Sequence, residues 1–119
     1  MNNSKFYKGS LDTIIFKLLE DGEKMYGYQI AQEIKNLTKG DFNITEGALY
    51  PALHRLEKNG YLTTELVNVN NRLRKYYKLT SEGKNQKVQS LKEIKKVIQT
   101  LDTILFPTPK LHSYERIKS

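Results

Sequence analysis

Cysteine and tryptophan are absent from this chain, and only three prolines and two histidines occur among its 119 residues. Without cysteine there is no disulfide scaffold, no thiol nucleophile and no zinc site that needs thiolate. His54 has no Asp or Glu four residues away on the same helical face, and His112 lies far off near the C-terminus, so no metal is expected. No nucleophile, base and orienting group can be assembled into a catalytic set, which argues against an enzyme, and no cofactor is expected. A run of about 18 apolar residues is missing too, as is a signal-peptide pattern, and the expected location is therefore the cytoplasm. Acidic residues are the minority: 13 Asp and Glu face 20 Lys and Arg, for a formal charge of +7.

That charge favours an anionic partner, because a basic surface speeds encounter with phosphate and releases counterions on binding. Its distribution is uneven. Residues 1–44 are balanced, whereas residues 45–79 set Arg55, Lys58, Arg72, Arg74, Lys75 and Lys78 against only Glu46, Glu57 and Glu65. The length suits one domain, and the modest apolar fraction of 38% predicts a thin core that a second subunit would extend.

Apolar residues at helical spacing predict a first helix over 10–21 with Ser10 as its cap, and a second over 26–38 with Ile30, Ile34 and Leu37 on one side. Phe42-Asn43-Ile44 reads as a very short strand. Thr45 is the expected cap of a third helix that Gly60 stops. On its wheel Leu49, Ala52, Leu53 and Leu56 share one side; Gly47, Pro51, His54 and Lys58 lie opposite, flanked by Tyr50 and Arg55. The apolar side must dock on the first two helices, which leaves the other free for a partner. A generic surface helix shows the same split, so the following segment carries much of the argument. Residues 61–67 and 74–79 read as antiparallel strands joined by a turn at Asn68-Val69-Asn70-Asn71. Arg72, Arg74 and Lys75 at this wing suit phosphate or the minor groove, and Tyr76 projects on the same side as Arg74. Pro51 cannot donate to the carbonyl of Gly47, and the first turn is expected to be kinked or loosened.

These stretches resemble the PadR family of bacterial transcription regulators. The match rests on Tyr26-Gly27-Tyr28-Gln29-Ile30, on residues 47–57 from Gly47-Ala48-Leu49-Tyr50-Pro51 to Leu56-Glu57, and on Arg72-Leu73-Arg74-Lys75-Tyr76-Tyr77-Lys78-Leu79-Thr80. The resemblance implies a mainly α fold with a small β-hairpin, that is, a winged helix-turn-helix over 1–83 followed by a long dimerisation helix over 84–106. A single C-terminal helix matches the family's short subgroup. It further implies a homodimeric repressor on an inverted repeat in double-stranded DNA, often released by a small planar aromatic or drug-like effector. On this reading Thr45, Gly47, Tyr50, Pro51, His54, Arg55, Lys58, Arg72, Arg74, Lys75 and Tyr76 are the DNA-binding candidates. The wing departs from the family pattern, with Asn70-Asn71 and Leu73 where glycine and often proline are usual around the first arginine.

Leu91, Ile94, Ile98, Leu101 and Leu105 are spaced by three and four residues along the last helix. Such a seam matches helix pairing between subunits, and five lysines are expected on its outer side. Phe6, Tyr7 and Ile94 are the candidates for an effector pocket, with Phe106 as a further ring, although the seam itself is aliphatic. Residues 107–119, polar and aperiodic, are expected to form a flexible tail. A winged module that binds a protein instead of DNA, as an antirepressor does, remains the alternative.

Overall fold

Side chains from three helices and one face of a small sheet meet in one apolar cluster, which fixes where the partner-facing surfaces lie. The structure, a computed structural model, describes residues 8–108. In chain order these form α1 (Lys8–Leu18), β1 (Met25–Tyr26), α2 (Gly27–Leu37), α3 (Glu46–Lys58), β2 (Leu62–Val69), β3 (Arg72–Leu79) and α4 (Ser81–Leu105). The strands make one antiparallel sheet in the order β1-β3-β2. This is a winged helix-turn-helix extended by a long C-terminal helix, as the sequence predicts.

The helical spacing read from the sequence buries Ile15 of α1, Ile30 and Ile34 of α2, and Leu49, Ala52, Leu53 and Leu56 of α3, and Phe16 of α1 joins them. Leu62, Tyr77 and Leu79 close the cluster from the sheet. Burial of this kind is worth about 1.5–3 kcal/mol for each large apolar side chain, and it overrides the weak helix propensity of the Gly47 and Pro51 positions.

Several boundaries differ from expectation. Ser10 is not a cap: α1 begins earlier, so Ser10 lies inside the helix and is buried. Leu37 faces solvent, because α2 ends there and only Ile30 and Ile34 reach the core. Residues 42–44 form no strand; Phe42 is an isolated core plug in a loop held by Thr38, whose hydroxyl accepts from the Phe42 N–H at 3.1 Å. The third strand is instead β1, whose two residues pair with Tyr77 and Tyr76. The wing turn is also tighter than expected. Asn68 and Val69 belong to β2, and only Asn70 and Asn71 make the reversal, both at positive φ (51° and 65°). Two consecutive left-handed residues are what a two-residue hairpin of matching twist requires, and asparagine adopts that conformation most readily after glycine.

α4 starts at the Thr80 cap, whose Oγ1 accepts from the Gly83 N–H. Gly83 lies so close to the Tyr61 carbonyl that a Cβ there would collide with backbone. That approach seats the first turns of α4 on the domain, and Lys87 secures them with a 3.0 Å bond to Glu20. The helix runs without a break across residues 83 and 84 and is about 37 Å long at 1.5 Å per residue. Beyond Ile94 its side chains are largely exposed. No helix among the described residues is long and apolar enough to cross a membrane.

Candidate nucleic-acid interface

The amino end of α3 is built as the sequence dictates. Thr45 Oγ1 accepts from the Ala48 N–H at 3.2 Å, which ties down one donor of the first turn. At the other end Gly60, at φ +85°, and Tyr61 return their N–H groups to the carbonyls of Glu57 and Leu56, a double C-terminal closure. Pro51 does not break α3, which is continuous over 13 residues. Gly47, Pro51, His54 and Lys58 form its solvent-facing side, and no acidic group among the described residues pairs with Lys58.

The pleat of β3 divides the wing. Arg72, Arg74, Tyr76 and Lys78 lie on the outer face, while Lys75, Tyr77 and Leu79 turn toward α3. Burial pushes the Tyr77 hydroxyl above its ordinary pKa, consistent with a core role. Arg72 at the end of the turn is exposed, and Arg74 holds its guanidinium 4.1 Å over the Tyr26 ring. Neither arginine has a carboxylate partner among the described residues.

Three of the sequence candidates are placed elsewhere. Arg55 points to α1, where its two terminal nitrogens bind the two carboxylate oxygens of Asp12 at 3.0 and 2.8 Å. These hydrogen bonds raise the Arg55 pKa, and the pair lines a cleft of about 220 Å³ beside α4. Tyr50 leans inward onto the start of α2: a Cβ on Gly27 would fall 2.5 Å from its ring, so a larger residue there would have to displace Tyr50. Lys75 bridges to Glu57 of α3 at 3.3 Å, on the inner side of the sheet. Each touches a second element: Arg55 reaches α1, Tyr50 the start of α2, and Lys75 α3. Sequence reasoning overlooked Lys24, Tyr26 and Tyr28 near the start of α2, because only β1 pairing brings them beside Arg74 and Tyr76. The Tyr-Gly-Tyr spelling was the available signal.

The seam on α4 is solvent-facing in the single chain. Ile98, Leu101 and Leu105 are exposed, Leu91 is borderline, and only Ile94 is half-buried. Ile94, Ile98 and Leu101, with Val97, border an apolar groove of about 650 Å³ against Ile14 and Leu18 of α1 and the exposed Leu37. Ile94 lines this groove; Phe6 and Tyr7 lie outside the described residues, and so does all of the expected tail after Thr108. Phe106 is exposed.

A short capped helix with a polar outer side, a basic two-stranded wing beside it and a helical scaffold behind define the winged-helix class of DNA-binding regulators. The Transcriptional regulator PadR-like family matches residues 15–89, and the chain belongs to that family. It is 37% identical over 106 residues to an uncharacterised protein of Lysinibacillus sphaericus, covering 88% of this chain and 96% of that one. A transcriptional regulator of Mycobacterium tuberculosis is 32% identical over 80 residues, 67% of this chain and 71% of the other. Among solved structures, a transcriptional regulator from Clostridium thermocellum superimposes with a TM-score of 0.75 at 35% identity, over 81% of this chain and 93% of that one. A PadR family transcription regulator from Clostridium difficile gives 0.68 at 30% identity, over 80% and 97%.

Proposed function

We propose that the protein is a homodimeric repressor that binds an inverted repeat in double-stranded DNA, with α3 in the major groove and the wing on adjacent backbone. The observation that carries this reading is the separation of faces. Gly47, Pro51, His54 and Lys58 stand outward on α3, and Arg72 and Arg74 stand on the wing with no carboxylate partner among the described residues, while Leu49, Ala52, Leu53 and Leu56 are buried behind them. Thr45, Gly47, Pro51 and His54 are then the groove-facing set, and Lys58, Arg72, Arg74 and Tyr76 the backbone set. Residues 1–83 read DNA and residues 84–106 pair two copies through Leu91, Ile98, Leu101 and Leu105. The apolar groove between α1 and α4 supports a further element of the reading, a planar aromatic effector that binds where the copies meet and releases the DNA.

A gel shift on the promoter region of the protein's own gene, at near-physiological salt with excess competitor DNA, tests the reading. Basic charge alone binds random DNA weakly at that salt, so the ratio of specific to random binding decides. A clear preference for the promoter fragment is expected. Equal binding to random DNA, together with capture of one protein partner, would transfer the outer face of α3 to a protein surface.

A further inference from the structure

On the outer face of the wing sheet, an aromatic and cationic cluster forms around the start of α2. Tyr26 pairs with Tyr76 across β1 and β3, and their rings meet edge to face at 5.4 Å. The Tyr28 ring stacks beyond Tyr26 at 6.5 Å, and the Arg74 guanidinium covers Tyr26 at 4.1 Å. Lys24 lies 5.5 Å from the Tyr76 ring centre and bonds Glu65 at 3.2 Å. On the inner side, Tyr50 of α3 packs against Gly27. The start of α2 is thereby wedged between α3 and the wing, and its cluster is continuous with both.

The donors in this cluster are oriented before any ligand arrives. A ring beneath a guanidinium holds its plane and leaves the N–H edge directed outward. The Tyr28 side chain is well exposed, and its hydroxyl accepts from Gln32 Nε2 at 2.7 Å, which leaves the hydroxyl hydrogen to donate. A flat cation and an outward O–H suit phosphate oxygens, and Lys24 offsets the charge of Glu65 beside them.

We propose that Tyr28 and Arg74, with Tyr26 as the platform beneath the arginine, grip neighbouring phosphates of the DNA strand that passes between α3 and the wing. The inference rests on the DNA-binding reading and adds a third contact region, at the start of α2, to the third helix and the wing tip. Two probes distinguish the claims: a duplex from the promoter region of the protein's own gene, and a random-sequence duplex at low salt. Tyr28→Phe removes one oxygen and keeps the ring. It is expected to weaken binding to both duplexes by roughly tenfold, the scale of one hydrogen bond to a charged group, with an unchanged salt slope because no charge is lost. Tyr26→Leu, with folding checked by circular dichroism, is expected to weaken binding in the native background and to have little further effect in Arg74→Ala.

Wild-type affinity of Tyr28→Phe on both duplexes would overturn the clamp while leaving the wider reading intact. So would a Tyr26→Leu loss of equal size in both backgrounds. A Tyr28→Phe effect confined to the promoter duplex would overturn it as well, by assigning Tyr28 to a base. Failure of the wild-type protein to bind either duplex would remove both readings together.

Discussion

Charge on this surface is divided between residues that hold the fold and residues left free, and the two kinds are spelled alike. Arg55 and Arg74 both belong to stretches rich in basic and aromatic residues, yet Arg55 is bound by Asp12 and Arg74 rests on an aromatic ring. Asp12→Asn should therefore cost stability, about 1 kcal/mol for a partly exposed bidentate pair, and should leave the salt dependence of DNA binding unchanged. Thermal unfolding followed by circular dichroism, beside a salt titration of binding, checks both halves. Arg72→Ala should do the reverse: its melting temperature should match the wild type, and the slope of log affinity against log salt should fall by about one unit for a lost phosphate contact. These residue roles were only partly legible in the sequence. Helical spacing put Leu49 and Leu53 in the core and His54 outside it, because periodicity is a local property. Arg55 sits at the border of the two faces, and its partner lies 43 residues away.

At the scale of elements, local chemistry foretold those that carry their own start and stop signals. The Thr45 cap and the Gly60 closure delimited α3, whereas the asparagine-rich run 68–71 marked the wing turn two residues too long. β1 was missed because two residues carry no alternating pattern, and its existence depends on pairing with Tyr76 and Tyr77. Residues 42–44 misled for the same reason, since two apolar residues around a polar one spell a strand whether or not a neighbour is there. The turn supplies a test. Asn71→Val places a β-branched residue at φ 65° and should destabilise the protein by about 1–2 kcal/mol, read as a lower melting temperature.

The junction of α1 with α4 supplies another test, in pH. Hydrogen bonds from Lys17 and Lys87 hold the Glu20 carboxyl below its ordinary value. Its contribution is therefore present above the unfolded pKa, near 4.5, and is lost as pH falls through the depressed folded value. The difference in melting temperature between wild type and Glu20→Gln should be widest near neutrality and should close in acid below that range.

For the whole molecule the decisive feature is a helix about 37 Å long whose far half keeps most of its apolar side chains exposed among the described residues. Ile98, Leu101, Ile104 and Leu105 leave apolar side chains exposed along it, which the proposed second copy of the same helix would cover. One winged domain has too small a footprint to hold an operator tightly, whereas two rigidly joined domains reach half-sites about one helical turn, ~34–36 Å, apart. Ile98→Asp tests this link most directly, because it places a charge in the seam and leaves α3 and the wing untouched, at a cost of several kcal/mol to the pairing. Sedimentation velocity and a gel shift on the promoter duplex should be run on one preparation of the variant. A folded monomer that has lost the promoter-specific complex is the predicted result; a folded monomer that binds the promoter duplex with wild-type affinity would contradict the account.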